Sequence, residues 1–513
     1  MPRQGLLIPA PLERLSRKQI EDVHGASLVI LSDPGLVCYN EEAASIFAEA
    51  GADVSALMEG PPPYRIVKIP RETVERGLET APSAITLGAR NPDNALVMDG
   101  RKPRVYFVTG SEANTWIDAD FPVYVKQSDP AKEIRIAEFK PRRGTLADLC
   151  LSARLSEQLD TLDGFIRNVN IQDPDITEDI KDVNKVYASL DNTTKHVMVG
   201  LTKPDKLDTV LAMASIIAGG EDKLKENPVL SFITCLVKSP LQLVDETTGS
   251  FIDICRRGMP VVVSSSPQAG TTAPIHEAGI IAQINAEVLA GIVLGQLVNP
   301  GTSILYGTVP VRTRMDNLAD SYGAVETSQY TIDCAQLARY YGIPNYSTSG
   351  VCDPAFPGQQ STVERLFSNI LVTLSGPQFL HCAYGLLDCN AAFSPLQAVI
   401  DDTHFGMIRY FFRAPVLDEG ELEAMIGQIR EVLASPQKLF IRYVRKVLRS
   451  GLLSSPYPYE GDGDEVFLRA QKRMEELLSR PVSHIERETA EKVFRDIPGL
   501  LPRLHPSERD VGL

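Results

Sequence analysis

The stretch PVVVSSSPQAGTTAPIHEAGIIAQINAEVLAGIVLGQLVNPGTSILYGTV, Pro260 to Val309, decides the fold. It opens on a β-branched run and breaks at Pro267 and Gly270. It then continues as a long apolar segment of helical periodicity and closes on a second short run, SILYGTV. A strand, a loop, a crossover helix and a second strand make one βαβ unit with parallel strands. Outward from this unit the rhythm recurs. HVMVGL (His196–Leu201), VLSFITCLV (Val229–Val237), IPNYSTSG (Ile343–Gly350) and QFLHCAYG (Gln378–Gly385) are further strand candidates. Segments such as KLDTVLAMASIIAG and TVERLFSNILVTLSG lie between them with helical spacing. FIRNVNI (Phe165–Ile171) and VYFVT (Val105–Thr109) bring the strands to eight. Alternating strands and helices mean a parallel sheet covered by helices. Eight units predict an α/β fold of the closed (β/α)8 TIM-barrel kind, with an open doubly wound sheet as the alternative. No GxGxxG follows any of the strands, which weakens a dinucleotide-binding version.

The barrel is expected over residues 105–415. Residues 1–104 read as a less regular extension packing on it. Residues 416–513 read as a charged helical extension with a loop at SSPYPYEGDGDE, Ser454 to Glu465. The chain has 513 residues, with 51 Lys and Arg against 66 Asp and Glu, a net charge of −15. That balance argues against a non-specific nucleic-acid binder. The N-terminus has no apolar stretch long enough for a signal peptide. The longest apolar run, Ile280 to Val298, is interrupted by Gln283, Asn285, Glu287 and Gln296, and reads as a core helix, not a membrane span. Eight cysteines without CxxC spacing read as reduced, mostly buried thiols. The expectation is a cytoplasmic protein with no nucleic-acid or membrane partner.

In a barrel of this kind the chemistry sits at the C-terminal ends of the strands. The residues there include Thr202, Lys203, Lys238, Ser239, Ser265 to Gln268, Tyr306, Ser347 to Asp353 and His381 to Asp388. They are rich in Ser, Thr, Gln and aromatics and poor in paired carboxylates, the usual acid/base equipment. In SSSPQAGTTAP, Pro274 suits the first turn of the long helix and Thr271 or Thr272 its N-cap, while Gly270 permits a tight turn. Free amides there suit a carboxylate or phosphate, although a capped loop with no ligand reads equally well. In GVCDPAFPGQQ (Gly350–Gln360), Phe356 is either a buried anchor or a pocket wall. LHCAYGLLDCNAAFSP (Leu380–Pro395) brings His381, Tyr384, Asp388 and Phe393 into one strand-to-helix connection.

His381 and Cys382 are adjacent, so on a strand their side chains point to opposite faces, and no spaced zinc-ligand set is found. DTHFG (Asp402–Gly406) is one residue short of the DxHxxG loop of cobalamin-binding proteins and reads as the start of an amphipathic helix running to Phe412. The chain is therefore expected to bind no metal and no corrinoid of its own.

SSSPQAGTTAP followed by AQINAEVLAGIVLGQLVNPGTSILYG (Ala282–Gly307) resembles the trimethylamine methyltransferase family. The resemblance continues in NTTKHVMVG (Asn192–Gly200), AQLARYYGIPNYS (Ala335–Ser347) and AVIDDTHFGMIRYFFR (Ala398–Arg413), and runs in order from about Val105 to Arg413. Founding members of that family use pyrrolysine, whose place falls near Cys352 to Phe356, where this chain has only standard residues. The resemblance therefore implies the branch without pyrrolysine. Such enzymes demethylate small quaternary amines such as glycine betaine and pass the methyl group to Co(I) cobalamin carried by a separate corrinoid protein. Quaternary ammonium is recognised by aromatic faces. The resemblance then suggests Phe356, Tyr384, Phe393, Tyr306, Tyr346 and Trp116 as cage candidates. His381, Gln268 and the amides near Gly270, Thr271 and Thr272 are the suggested carboxylate donors. No residue is assigned a role in proton transfer, because a neutral amine leaves without one. The alternatives are a catalytically silent betaine- or corrinoid-protein-binding barrel, and a Schiff-base lyase using Lys203 or Lys238. The sequence leaves room for a homo-oligomer.

Overall fold

Eight strands lie parallel in one curled sheet. In chain order they are β1 (Arg104–Phe107), β2 (Gly164–Ile166), β3 (His196–Val199), β4 (Leu230–Thr234), β5 (Val261–Ser265), β6 (Ile304–Thr308), β7 (Asn345–Thr348) and β8 (Phe379–His381). From β2 onward each pairs with the next, and β8 pairs with β1. A ninth strand, Leu6–Leu7, runs antiparallel on the start of β1. Beyond it, Val108 and Gly164 form an isolated parallel bridge, and the Asp163 N–H donates to the Phe107 carbonyl at 2.7 Å. The computed structural model describes residues 4–507 except 127–128, 416, 442 and 446–465. The loop expected at Ser454 to Glu465 lies outside the described residues.

A helix follows each strand: α1 (Leu146–Gln158), α2 (Glu178–Asn192), α3 (Leu207–Ala218), α4 (Asp245–Arg256), α5 (Glu277–Val298), α6 (Val325–Tyr341), α7 (Gln359–Ser375) and α8 (Pro395–Phe411). The strands are buried on both faces, which is why they read as short apolar runs without clean alternation. Period-2 geometry still sorts their side chains. Tyr106, Met198, Val262, Leu305, Tyr346 and Phe379 turn to one side, where they share a core with the hairpin formed by Ala84–Leu87 and Leu96–Asp99. Val197, Phe232, Val263 and Tyr306 turn to the other side and pack against the helices.

The first hundred residues are more regular than their sequence suggests. Helices Arg17–Ser32, Glu41–Glu49 and Arg71–Thr80 pack across α5. Gly77 makes one contact possible, since a Cβ there would sit 3.0 Å from Val293 Cγ2. Covered by these helices on one side and by the sheet on the other, α5 is apolar all round. By length and composition it could cross a membrane, but 89% of its apolar window is buried inside the protein.

Two helix boundaries differ from expectation. Helix α5 starts at Glu277 with His276 as N-cap, not at Pro274 behind Thr271 or Thr272. The amides of Thr271, Thr272 and Ala273 instead turn back to the Gln268 carbonyl, so the motif closes on itself before the helix begins. Helix α8 begins at Pro395 under a Ser394 cap, which puts DTHFG in its middle and not at its start. All eight cysteines are free thiols: six are buried, Cys389 is half-buried and Cys235 is exposed.

Asp333 on α6 has no exposed side-chain surface and lies 3.1 Å from Arg14 Nε. Burial raises its pKa to about 7, with Arg14 opposing and Glu277 adding to the rise. A carboxyl whose pKa is raised in the native state binds a proton that the unfolded chain has lost, so its stabilisation fades as pH rises. We expect the stability of wild type relative to Asp333→Asn to fall between about pH 4 and pH 7, by roughly 1.4 kcal/mol per unit of pKa difference, and to level off above. Denaturant melts of both proteins across that range check this; parallel pH curves would remove Asp333 as the cause.

Candidate active site

The C-terminal ends of the strands are tied into a rim by small sheets. The loops after β5 and β6 meet where Gln268–Ala269 pairs with Val311–Thr313, which pairs with Asp320–Ser321. The connections after β1 and β8 meet where Thr115–Asp120 pairs with Ala392–Phe393. The loops after β4 and β5 are both held by Glu287 of α5. Its buried carboxyl accepts from Ser239 Oγ at 2.7 Å, Leu241 N–H at 3.0 Å, Ser265 Oγ at 2.6 Å and Gln283 Nε2 at 2.9 Å. Burial raises the Glu287 pKa against the pull of those donors.

Inside the rim the strand ends carry a charged network. Arg167, the residue after β2, forms a bidentate pair with Glu112 of the β1 connection: Nε to Oε1 at 2.6 Å and Nη2 to Oε2 at 2.9 Å. Lys185 of α2 donates to Thr202 Oγ1 at 2.7 Å and approaches Asp182 Oδ1 at 2.8 Å and Glu112 Oε1 at 3.4 Å. Asp182 in turn accepts the amides of Thr202 and Lys203. Burial opposes ionisation of Glu112, but Arg167 and Lys185 outweigh it and hold the carboxyl at about 2. Burial lowers the Lys185 pKa, and the Arg167 charge lowers it further. The Arg167 guanidinium lies over Gly200 at the end of β3, where a Cβ would sit 3.0 Å from Nη2. Gly200 follows Met198 on the inward-facing register, so the guanidinium lies within the curl of the sheet.

The strand ends here form a recess within the curl of the sheet, since the almost buried Arg167 lies over Gly200. Cys235, just past β4, is exposed, and desolvation raises its thiol pKa. The Glu112 side chain is 29% exposed beside an almost buried Arg167. Four residues at these strand ends carry buried polar atoms with no hydrogen-bond partner: Arg167 at Nη1, Asn168 at both amide atoms, Ser264 at Oγ and Thr308 at Oγ1. Buried donors without acceptors are rare in stable folds and mark places where a ligand can complete the bonding.

The residues singled out from the sequence separate into different compartments. Tyr346 and His381 come together within the sheet, with rings stacked at 3.8 Å and an interplanar angle of 19°. His381 Nε2 bonds Thr348 Oγ1 at 2.6 Å, and Thr348 Oγ1 donates onward to the Thr308 carbonyl. That hydroxyl proton is committed, so Nε2 carries the imidazole proton, and Nδ1 at 2.9 Å faces the Cys382 thiol. Both ring nitrogens are therefore engaged. Burial lowers the His381 pKa to about 3, leaving a neutral imidazole. Cys382 reaches its neighbour because its φ of 59° takes it out of strand geometry, which overturns the expectation of opposite faces.

The remaining cage candidates do not converge. Tyr306 faces the helices and donates to Asn285 of α5 at 2.9 Å. Tyr384 packs on Phe405 of α8, with its hydroxyl on Thr161. Trp116 and Phe393 face each other in the rim sheet at 5.5 Å. Phe356 is 41% exposed and stacks beside Phe139. The expected carboxylate donors also differ. The Gly270 amide donates to Ala273, the Thr271 and Thr272 amides to Gln268, and Gln268 Oε1 accepts from Thr271. The amides at Gly270 to Thr272 are thus committed within the loop.

Glu112 and Arg167 escaped the sequence reading because their strands, β1 and β2, were the two least distinct. The position of Arg167 directly after a short apolar run, and of Glu112 in the polar loop that follows another, was the signal. Backbone strain clusters at the same end. Ser111, Cys382, Asp388, Cys389 and Asn390 all adopt positive φ. Non-glycine residues held in that region cost energy and collect at functional sites.

The sequence pattern of the family described as Trimethylamine methyltransferase (MTTB) matches residues 7–440. The chain belongs to the trimethylamine methyltransferase family. A trimethylamine methyltransferase of Desulfitobacterium hafniense is 32% identical over 398 residues, covering 78% of this chain and 74% of the relative. A glycine betaine methyltransferase of the same species is 29% identical over 425 residues, covering 81% and 80%. The trimethylamine methyltransferase of Methanosarcina barkeri is 29% identical over 415 residues, covering 80% and 78%. In this family member, then, the recess within the sheet carries an Arg–Glu–Lys network and one aromatic–histidine stack.

His381 should remain neutral well below the pH at which an exposed histidine titrates. Nitrogen-15 imidazole shifts followed from neutral pH down to about pH 5 should show the Nε2–H tautomer throughout, given a pKa of about 3. An inflection near the ordinary histidine value would show that the ring is solvated and free to move.

Proposed function

We propose that the chain demethylates a small zwitterionic quaternary amine such as glycine betaine. The methyl group passes to Co(I) of a separate corrinoid protein docked over the mouth of the sheet. We infer that the Val108–Gly164 bridge closes the sheet as an eight-stranded barrel. Residues 105–415 then form the catalytic unit, with 1–104 and 416–513 as extensions.

The observation that carries this reading is the Glu112–Arg167 pair in the recess. A betaine is itself a cation and an anion a short chain apart. Glu112 is ionised and part exposed, and suits the ammonium end. Arg167 Nη1 lacks a protein acceptor and suits the carboxylate as a charge-assisted hydrogen bond in a desolvated setting. The His381–Tyr346 stack supplies a flat, neutral wall beside them. The names of the relatives, which cover both trimethylamine and glycine betaine, support a methylated amine as substrate.

The chemistry asks little proton transfer of these residues. Removing a methyl group from a quaternary nitrogen releases a neutral tertiary amine, which needs no general acid. Glu112 is already deprotonated and His381 is neutral with both nitrogens engaged. Their work is binding, orientation and exclusion of water from the reacting methyl group. The corrinoid protein supplies the nucleophilic Co(I) that accepts it.

A Schiff-base reading has one observation in its favour, the lowered pKa of Lys185. Its ammonium is held by Asp182, Thr202 and Glu112, which ties up the lone pair such chemistry needs. Lys203 is paired with Asp179 at 2.5 Å.

Cobalt methylation followed by visible spectroscopy, with Co(I) corrinoid protein and a panel of amines, tests the proposal. Glycine betaine or a related betaine should be turned over. Arg167→Met should lower kcat/KM about a hundredfold, chiefly through KM, because a buried charge-assisted bond is lost. Methylation from trimethylamine but from no quaternary amine would sink the assignment.

A further inference from the structure

The helix Glu419–Ala434, which we call α9, carries its apolar side chains on one stripe: Leu422, Met425, Ile426, Ile429 and Leu433. All five are exposed, from 39% at Leu422 to 63% at Leu433, and only Val432 is buried. Among the described residues, eleven exposed large apolar side chains fall between Phe411 and Val444. So dense a patch on a soluble surface marks an interaction site. Asp418 caps the helix by accepting the Glu421 amide at 2.9 Å, so the helix is a built element with a defined start. Over its 16 residues it spans about 24 Å, enough for several side-chain layers.

The charges beside the stripe identify what covers it. Glu419, Glu423 and Arg430 lie on one flank, at helical offsets that bring them together beside Ile426. Acidic residues hold the N-terminal half of that flank, and Arg430 the C-terminal half. Neither Glu423 nor Arg430 has an ion-pair partner among the described residues. In an antiparallel pair of helices, equal flanks face each other across the seam. A second copy of α9 running antiparallel then sets Glu423 against the other copy's Arg430, and the reverse, while Leu422 meets Leu433 and Ile426 meets Ile429. A parallel pair also joins the apolar stripes but does not set Glu423 against Arg430.

We propose that two copies of this chain associate through α9 in an antiparallel, two-fold interface. One surface serves both partners, as a closed two-fold contact requires. The proposal is independent of the substrate assigned above, since α9 contributes nothing to the recess.

Sedimentation velocity of the full chain at micromolar concentration is the test, with circular dichroism and betaine binding measured on each variant. Wild type should be a dimer. Ile426→Glu combined with Ile429→Glu should give a monomer with unchanged dichroism and binding. Glu423→Arg should weaken dimerisation about tenfold, because two attractive contacts become repulsive. Adding Arg430→Glu should restore it, since each charge again meets its opposite. A monomeric wild type, a dimer that survives the double glutamate variant, or a charge swap that fails to restore association overturns the proposal. The last two outcomes would assign the stripe to another partner.

Discussion

The mouth of the sheet hangs from one ion pair, Arg365 with Asp401, neither of which has any exposed side-chain surface. Arg365 comes from α7 and Asp401 from α8, with the guanidinium Nη2 and a carboxylate oxygen 2.5 Å apart. Arg365 also donates to the carbonyls of Ala383 and Leu386, while Asp401 accepts the Gly385 amide at 2.8 Å and Gln397 Nε2 at 3.0 Å. These partners lie in the turn after β8 and in the helix that follows. Burying two charges is costly, but losing one partner of a buried pair costs about 3–5 kcal/mol, because the other is left uncompensated. The turn is therefore held rigidly enough to keep Cys382 at positive φ with its thiol on the His381 ring.

The same logic runs through Glu287, which joins the loops after β4 and β5 from behind. Neither Asp401 nor Glu287 reaches the recess. Each satisfies backbone or hydroxyl donors of loops that otherwise lack regular hydrogen-bonding partners. The recess is the complement of this arrangement. Where the supporting groups are fully bonded, Arg167 Nη1, Asn168 and Ser264 are not.

How far the sequence could be read follows from what period-2 and helical spacing encode. The eight strands and their helices were legible, because burial on both faces leaves a run of apolar residues that no loop imitates. The inward or outward direction of each strand residue was not. Tyr306 and Tyr346 sit on adjacent strands in similar contexts, ILYGT and NYST, yet one faces α5 and the other His381. A shift of one residue in register exchanges the two faces, and nothing local in the sequence fixes it. SSSPQAGTTAP failed in the opposite way. Its residues suit a helix cap, but three consecutive amides bonded to one carbonyl use the same donors in a closed loop.

On the proposed function a charged pair takes the place of the aromatic cage expected from the chemistry of quaternary ammonium, and the two devices select differently. An aromatic cage attracts any methylated cation through its face, by about 0.5–2 kcal/mol per ring. It discriminates little between trimethylamine in its protonated form and a betaine. A buried arginine with an unpaired donor discriminates strongly, since a ligand without an acceptor leaves that donor desolvated and unbonded. Such mismatches are worth more than a missing methyl group in an apolar pocket. On the proposed function, the polarity of the recess favours the zwitterionic end of the range of methylated amines that the relatives' names span.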